Sequence, residues 1–463
     1  MSMGSQPRIC IIGAGPCGLT ALKNLLAYGL DNVTCYDESD AIGGNWVFSE
    51  RPGRTSVHET THIISSKALS AFEDFPMSAD YPEFPSHRQM RAYFDSYADY
   101  FKLTTNIQLR TRVEQAKQED DGRWSLQLAG CEGRSEAQFD YLIVCSGHHR
   151  ESEIPAYPGH FSGESLHSAD FKRAARFGGK RVLVVGGGNS ACDIAVDVAR
   201  VAAHTCISMR RGYHIVPKIV FGRPVDSQYL TAQRIPRWLQ QPVLNALLRL
   251  VVGRWKRYGL QAPTSRPLET HPTLNSSILD ALSHGTVLPR VGIERLDGNA
   301  VRFRDGTVES FDTIIWATGF KITYPFLDPS VVDWDTSRSA PLYCKMMHRR
   351  IANLYFIGLF QPIGCIWRLA DYQGRIAALQ IAGRLDRPAD IAKRIEREMR
   401  VPHWNFDVTA RHAVEVDYHR FRKELLDELS RAGVTMDDIW SAAPQRVATL
   451  ATFSKGEMTR PAA

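Results

Sequence analysis

The stretch that most constrains the fold lies between residues 181 and 212. It begins with a short apolar run, continues through a glycine turn and ends in a segment whose apolar residues recur at helical spacing. The turn is formed by Gly186, Gly187, Gly188, Asn189, Ser190 and Ala191. Strand, glycine turn and helix follow in the order that a dinucleotide site requires. Glycine allows backbone to approach a pyrophosphate, and the first N–H groups of the helix face the phosphates.

The next apolar run carries the information on which dinucleotide binds. Residues 206–209 are followed by Arg210 and Arg211, so two cations are expected beside the adenosine ribose. Guanidinium groups pair well with a phosphate on that ribose. The second glycine turn of the chain is therefore predicted to bind NADPH.

A similar turn occurs near the beginning of the chain. It contains Gly13, Gly15 and Gly18, and the following apolar run ends at Asp37. Gly13 to Asp37 is 37 − 13 = 24 residues, and Gly186 to Arg210 is 210 − 186 = 24 residues. A carboxylate accepts hydrogen bonds from a free ribose diol and repels a 2′-phosphate, which predicts FAD here. Two glycine turns in an ordinary α/β protein, or one working site and one relic, are the alternatives.

The bulk composition fits a globular protein with two or three domains. The 463 residues are 44% hydrophobic and 23% charged, and the first six contain neither a positive charge nor an apolar run, unlike a secretory signal. An uncharged apolar stretch of about 20 residues, as needed to cross a bilayer, is not found. The nine cysteines contain no CxxC pair. This predicts a cytoplasmic protein without a metal site or a redox-active disulfide.

The positive charge of the chain is concentrated around the second turn. Between residues 170 and 260, 16 Lys or Arg stand against 4 Asp or Glu, a balance of 16 − 4 = +12, whereas the whole chain carries +6. Such a field attracts a polyanion. The phosphorylated cofactor explains it, and no nucleic-acid-binding motif is present, so no nucleic-acid partner is expected.

The order of the motifs predicts an α/β fold of two Rossmann-like dinucleotide-binding domains. Two similar buried strands, 141–144 and 313–316, are interpreted as the strands by which the chain leaves and re-enters the FAD domain. The predicted FAD domain is discontinuous and comprises 1–155 and 315–445. The NADPH domain, 156–314, is inserted into it and has a helical insertion near 225–275. A tail follows at 446–463.

Two further segments are candidates for flavin contacts. Gly43, Gly44, Asn45 and Trp46 could cross the ribityl side of the flavin, although a plain hairpin turn explains the two glycines almost as well. A helix predicted to begin at Asp371, with Gln373 in its first turn, would direct its positive end at the flavin.

Residues 234–258 combine an apolar, aromatic stripe with several arginines and lysines. Such a helix could lie on an anionic membrane surface. It could also be an insertion helix that packs on its own domain or on the second subunit of a homodimer, and this alternative is favoured. The stripe alone does not decide between these.

A string between the two turns resembles the fingerprint of flavin-containing monooxygenases, a group of class B flavoprotein monooxygenases. It reads FxGxxxHxxxF and contains Phe161, Gly163, His167 and Phe171. The resemblance runs in order from Arg8 to about Arg384. Further shared positions are Gly43 to Trp46, Gly188 to Ser190 with Asp193, 316–320 and 358–362. Related Baeyer-Villiger monooxygenases end the string in Trp, so Phe171 favours the first group.

The resemblance implies an NADPH-dependent enzyme similar to N,N-dimethylaniline monooxygenase. NADPH reduces FAD, and the reduced flavin takes up O2 as a C4a-peroxyflavin. One oxygen atom then passes to a small nitrogen- or sulfur-containing substrate, or is inserted beside a ketone. The cofactors perform the bond chemistry, so no side chain is assigned as catalytic. Gly163 and His167 are expected in an interdomain linker, and His167 is disfavoured as a general base.

One position departs from the family pattern. Alignment on Lys67 and the following motif puts Ile64 where the family has an asparagine near the flavin, and an isoleucine side chain donates no hydrogen bond. Ser65, Ser66 or His62 could substitute. Otherwise the protein would leak hydrogen peroxide as an NADPH oxidase. A flavin-based sensor is the non-enzymatic alternative, and a disulfide reductase is disfavoured by the absence of CxxC.

Overall fold

The computed structural model describes residues 6–232, 237–267, 269–332, 334, 340–400, 414–436 and 438. Its contacts divide the chain into two compact units. The first comprises Met1–Val47, Lys67–His148 and Ile322–Ala463, and the second comprises Phe48–Ser66 and His149–Lys321. These divisions lie seven residues away from the predicted boundaries at 155 and 314. Residues 48–66, predicted to belong to the first domain, group with the second unit. The predicted tail, 446–463, lies outside the described residues.

The first unit is built on a seven-stranded sheet. Its strands, in spatial order, are Leu342–Tyr343, Met347–His348, Leu354–Phe356, Tyr141–Val144, Ile9–Ile12, Val33–Tyr36 and Ile107–Gln108. The last five pair in parallel, and the first two join antiparallel. The central strand Ile9–Ile12 is buried along its whole length, as its continuous apolar run predicts.

The smaller elements of the first unit follow local signals in the sequence. The helix His87–Tyr100 begins at a capping box between Ser86 and Gln89. Three antiparallel strands form a separate small sheet. The antiparallel strands are Arg112–Gln118, Trp124–Gly130 and Gly133–Phe139. The other elements are the helices Pro16–Ala27, Lys67–Ser70, Ile366–Ile381, Ile391–Arg400 and Tyr418–Ser430, the 3-10 turns Gly44–Trp46 and Thr104–Asn106, and the paired strands Gln361–Pro362 and Glu415–Val416.

The helix predicted to begin at Asp371 begins earlier, at Ile366. Asp371 is buried inside it and accepts hydrogen bonds from Lys23 Nζ at 2.6 Å and Arg375 Nε at 3.0 Å. Lys23 also contacts Asp74 at 2.5 Å. Asp371 therefore belongs to a buried charge cluster, and the sequence prediction took it wrongly for the beginning of a helix.

The second unit contains a five-stranded parallel sheet. Its strands, in order, are Glu164–His167, Thr313–Trp316, Arg181–Val185, His204–Ser208 and Leu288–Arg290. The helices Asn189–Ala199 and Ser277–Ser283 cover it. Thr313–Trp316 pairs with Glu164–His167 and Arg181–Val185, so its assignment to the FAD domain is wrong. The sequence shows that this strand is buried, but its partners are decided by tertiary pairing.

A second sheet lies against the first within this unit. It contains Val308–Ser310, Ala300–Phe303, Ile293–Gly298 and Gly159–Phe161. Leu183 and Ile314 of the five-stranded sheet share an apolar core with Val301, Phe303 and Phe311. Among its described residues the unit also contains three short strand pairs: Ile215–Val216 with Thr273–Leu274, Ile219–Val220 with Arg223–Pro224, and Glu151–Ser152 with Phe320–Lys321.

The predicted insertion is helical, with Val225–Ala232, Arg237–Val251 and a 3-10 turn at Trp255–Tyr258. Leu248, Val251, Val252 and Trp255 pack against the core of their own unit. The C-terminal part of the apolar stripe is thus covered by its own unit, in agreement with an insertion helix that packs on its own domain. Arg234 and the other residues of 233–236 lie outside the described residues. Within the described residues, no helix has the length and apolar character needed to cross a membrane.

Candidate functional site

The first glycine turn joins the central strand of the first unit to the helix Pro16–Ala27. Gly13 has φ +107°, and a Cβ there would lie 2.6 Å from the carbonyl oxygen of Cys145. A Cβ on Gly18 would lie 1.8 Å from the carbonyl oxygen of Gly13. Both positions therefore require glycine. Gly15 is the N-cap of the helix, and no side chain accepts a hydrogen bond from the first turn. The first N–H groups of the helix therefore remain available to a phosphate.

Asp37 is held against this turn by backbone hydrogen bonds. One carboxylate oxygen accepts the N–H of Ala14 and the other accepts the N–H of Ser39, both at 2.7 Å. The negative charge predicted to face a ribose diol is therefore fixed at the carboxyl end of Val33–Tyr36.

The segment Gly43 to Trp46 lies next to the same turn. A Cβ on Gly44 would be 3.1 Å from the Cα of Gly15, so the two backbones face each other closely. Asn45 is exposed, and the ring of Trp46 meets the ring of Trp367 edge-on at 5.8 Å. The structure thus brings together the two glycine segments of the first unit that the sequence predicted as flavin contacts.

The second glycine turn repeats this construction in the second unit. Gly186 has φ +142°, and a Cβ there would lie 2.3 Å from the carbonyl oxygen of Ala317. Ala191 is fully buried below the turn, where a larger side chain would separate helix and strand. Gly188 caps the helix Asn189–Ala199 without a side-chain hydrogen bond.

Two features of this turn could not be predicted from the sequence. A Cβ on Gly187 would lie 2.2 Å from the ring of Tyr213, so that ring covers the turn. The side-chain oxygen of Asn189 is buried and accepts no hydrogen bond within the described protein, while Ser190 is exposed. The glycine cradle and the unsatisfied oxygen of Asn189 both fit a bound dinucleotide.

Asp193 lies one turn further along the helix. It accepts a hydrogen bond from Asn275 Nδ2 at 2.6 Å. Burial raises the pKa of Asp193 to about 6, although the charge of Lys218 opposes the rise. Asn275 also caps the helix Ser277–Ser283 by accepting the N–H of Ile278 at 2.9 Å. In this structure Asp193 therefore ties two helices together, and its predicted contact with the cofactor stays a prediction.

The two arginines at the end of His204–Ser208 differ in their surroundings. Arg211 lies over the ring of Tyr213, with 5.8 Å from Cζ to the ring centroid. Arg210 is exposed and makes no ion pair within the described residues. The charge on Arg210 is therefore available to an anion.

Hydrogen bonds within the second unit hold the segment that contains Ile64 and Ser65. Lys218 Nζ donates to the carbonyl oxygen of Ile63 at 3.2 Å, and Asp226 Oδ2 accepts the N–H of Ser66 at 2.6 Å. Ile64, between these two fixed points, is 36% exposed, whereas Ser65 is buried. Hydrogen bonds thus hold both residues that flank Ile64 and Ser65.

Gln373 is fully buried in the middle of the helix Ile366–Ile381. Its side-chain oxygen accepts the N–H of Gly358 at 3.0 Å, and its side-chain nitrogen donates to the carbonyl oxygen of Cys344 at 2.9 Å. Gln373 therefore braces the turn at Gly358, and its predicted flavin contact stays a prediction.

The string from Phe161 to Phe171 has structural roles. A Cβ on Gly163 would lie 2.5 Å from the carbonyl oxygen of Asp312. His167 ends a strand of the five-stranded sheet, its Nδ1 accepts the N–H of Ala169 at 3.1 Å, and burial lowers its pKa. The prediction that these residues lie in a linker is wrong, because Glu164–His167 is paired with Thr313–Trp316.

One cluster of the described residues resembles a metal ligand set. His204 Nε2, Cys206 Sγ and Glu309 Oε2 lie 3.2 to 3.4 Å apart, and Arg290 Nε donates to Glu309 at 2.8 Å. These atoms are satisfied by one another and by Arg290. The absence of a metal remains a sequence prediction.

Comparison of the sequence with known proteins shows the family of this chain, and comparison with solved structures shows proteins of the same fold. Residues 6–440 match the family model described as flavin-binding monooxygenase-like. The chain is 33% identical to flavin-containing monooxygenase 5 of Oryctolagus cuniculus over 91% of this chain and 82% of that protein. It is 34% identical to the N-oxide-forming dimethylaniline monooxygenase 2 of Rattus norvegicus over 85% of this chain and 77% of that protein.

Two solved structures share the fold. S-allyl-L-cysteine S-oxygenase from Allium sativum superposes with a TM-score of 0.69 at 20% identity, covering 93% of this chain and 89% of that one. Cyclohexanone monooxygenase from Rhodococcus sp. Phi1, bound to NADP+, gives a TM-score of 0.67 at 16% identity, covering 92% and 97%. The chain belongs to the flavin-binding monooxygenase-like family, whose members are flavin-dependent monooxygenases that use FAD and NADPH.

Proposed function

We propose that the turn at Gly13 to Gly18 holds FAD, that the turn at Gly186 to Ala191 holds NADPH, and that one oxygen atom of O2 is transferred to a small nitrogen- or sulfur-containing compound. The observation that carries this assignment is the opposite charge at the two strand ends. Asp37 is anchored beside the first turn, and Arg210 stands without an ion-pair partner beside the second. A 2′-phosphate is repelled by the first site and attracted to the second.

When bound, the two cofactors supply hydride transfer and oxygen activation. The work of the chain is to bind, to orient and to exclude water. Gly13, Gly18 and Gly186 keep backbone N–H groups within reach of the phosphates, and Tyr213 covers the second turn. Lys218 and Asp226 hold Ile63 and Ser66 by hydrogen bonds, so the segment 63–66 has a fixed position. We expect the substrate to contact this segment.

Nitrogen or sulfur oxygenation is preferred to Baeyer-Villiger oxidation for two reasons. Phe171 ends the shared string as in flavin-containing monooxygenases, and the relatives described above include an N-oxide-forming enzyme. A panel of sulfides, amines and ketones, offered with NADPH and O2, tests the preference. We expect sulfoxides or N-oxides, and formation of esters or lactones without sulfoxidation would overturn it.

A specific observation supports an NADPH oxidase as the second candidate. Ile64 is an apolar side chain at the position where the family pattern has an asparagine. Hydrogen peroxide released per NADPH consumed should therefore be high in the wild-type protein and should fall in Ile64→Asn. Ile64→Leu is the matched control, because it adds no hydrogen-bonding group. Equal peroxide yields in all three proteins would count against a role for Ile64.

Further predictions concern the cellular location, the membrane contact and the oligomeric state of the protein. All nine cysteines are free, which fits a reducing cytoplasm.

Peripheral membrane contact through 234–258 would use Val243 and Leu250, which are 40% and 76% exposed, with Arg249 and Arg254 nearby. Flotation with anionic vesicles tests the contact, and Leu250→Glu should abolish it. Light scattering of the purified protein tests for a homodimer.

A further inference from the structure

An arginine far from the glycine turn in sequence lies beside Arg210. Arg304 follows the strand Ala300–Phe303, and its N–H donates to the carbonyl oxygen of Gly292 at 2.9 Å. A Cβ on Gly292 would lie 3.3 Å from the Cα of Arg210 and 3.6 Å from both Cδ and Nε of Arg304. The missing side chain of Gly292 thus leaves the space in which Arg304 passes close to Arg210.

The neighbouring arginines are already engaged, whereas these two are not. Arg290 donates to Glu309 at 2.8 Å and Arg295 to Asp297 at 2.9 Å. Arg211 lies over Tyr213. Across the described ranges, neither Arg210 nor Arg304 forms an ion pair, and both are exposed.

The two guanidinium groups act on the same small region. The ring of Tyr157 stacks on Trp316 at 5.8 Å, and the charges of Arg210 and Arg304 both oppose the rise in the pKa of Tyr157 that burial causes. Two cations that share a region without a counterion repel each other, and a dianion between them would remove that cost. A phosphate matches the planar donor geometry of guanidinium.

We propose that Arg304 joins Arg210 in binding the 2′-phosphate of NADPH and so determines selectivity against NADH. The proposal rests on the assignment of the second glycine turn to NADPH. It adds a residue that the glycine motif does not contain. Arg211 differs from both, because its guanidinium lies over the ring of Tyr213, and its predicted contact with the cofactor stays a prediction.

Binding measurements on the FAD-loaded protein test this proposal without turnover. The ligands are NADP+, NAD+, adenosine 2′,5′-bisphosphate and 5′-AMP, titrated by calorimetry. Arg304→Ala should weaken NADP+ and the bisphosphate by about 10- to 100-fold, the usual effect of losing a hydrogen bond between charged groups. NAD+ and 5′-AMP should change by less than about twofold, because they lack the phosphate that Arg304 contacts.

Two variants control for charge and geometry. Arg302→Ala removes the same charge from an exposed site two residues away, and it should leave all four affinities unchanged. Arg304→Lys should restore part of the NADP+ affinity, since lysine keeps the charge but not the two-pronged geometry. Because Arg304 is exposed, flavin content and melting temperature should match the wild type.

The possible failures are distinguishable. If wild-type protein prefers NADP+ to NAD+ but Arg304→Ala does not reduce the preference, Arg304 has no such role and the proposed function stands. An equal loss of NADP+ and NAD+ would likewise refute a phosphate contact. If the wild type shows no preference for NADP+, the assignment of the second turn fails and the role of Arg304 fails with it.

Discussion

The two glycine turns are built alike in their backbones and oppositely in their charges. In both, a Cβ on a glycine of positive φ would lie within 2.6 Å of the carbonyl oxygen of the residue that follows the adjacent strand. In the first, the carboxylate of Asp37 is fixed by two backbone N–H groups, whereas in the second the charge of Arg210 is unpaired. In the proposed assignment, the backbone of each turn accepts a dinucleotide, and the side chain at the strand end decides which dinucleotide binds.

The largest expected effect is the loss of flavin when a side chain is placed in the first turn. Gly13→Ala forces a Cβ to within 2.6 Å of the Cys145 carbonyl oxygen, so the purified variant should contain no flavin, measured by its visible absorbance relative to protein. Gly122→Ala is the matched control. Gly122 also has positive φ, +84°, but nothing lies within 4 Å of its Cβ position. A yellow Gly13→Ala protein would show that this turn does not hold FAD.

The same substitution in the second turn should separate the two cofactors. Gly186→Ala places a Cβ 2.3 Å from the Ala317 carbonyl oxygen, within the second unit. The variant should keep its flavin and lose NADP+ binding in a calorimetric titration. If flavin is lost and NADP+ binding is kept, the two assignments must be exchanged.

The charge difference is tested by Arg210→Ala. The KM for NADPH should rise about 10- to 100-fold, while that for NADH should stay nearly constant, because only NADPH carries the 2′-phosphate. Arg200→Ala serves as the control, since Arg200 is an exposed arginine of the same unit that already pairs with Asp197 at 3.4 Å. Equal increases for both nucleotides would contradict a phosphate contact at Arg210.

A smaller effect concerns the carboxylate inside the second motif. The folded pKa of Asp193 is about 6 and its ordinary value is 3.8, so between these values the folded state binds more protons than the unfolded state. Its contribution therefore lowers stability as pH rises from about 4 to 6 and is constant above that range. Asp193→Asn keeps an acceptor for Asn275 and removes the buried charge.

The melting temperature of Asp193→Asn relative to wild type should consequently rise between about pH 4 and 6, by the equivalent of up to about 3 kcal/mol. Asp280→Asn is the control, because Asp280 is an exposed carboxylate in the neighbouring helix Ser277–Ser283. A constant difference across this range would mean that Asp193 titrates normally.

Much of this arrangement could be predicted because its signals are local. A strand, a glycine turn and a helix occupy about 20 consecutive residues in each motif, and the charged residue lies at a fixed distance along the chain. The helix His87–Tyr100 has local signals of the same kind, because its apolar residues recur at helical spacing and a capping box from Ser86 to Gln89 marks its start.

The errors came from residues whose partners are distant in sequence. Thr313–Trp316 has the composition of any buried strand, and only its pairing with Val182 and its neighbours assigns it to the second unit. Aspartate is a residue type that is common at the start of a helix, but Asp371 lies inside its helix, where it forms ion pairs with Lys23 and Arg375. Tyr213 over Gly187, and Arg304 beside Arg210, were not predicted because folding alone brings them together.

Anaerobic addition of NADPH to the purified protein tests the division between the two sites most directly. We expect the protein to be yellow as isolated, its flavin to be bleached by NADPH, and far more NADH to be needed for the same rate. Protein that is colourless and cannot be reconstituted with FAD would contradict the account. So would a flavin that NADPH does not reduce.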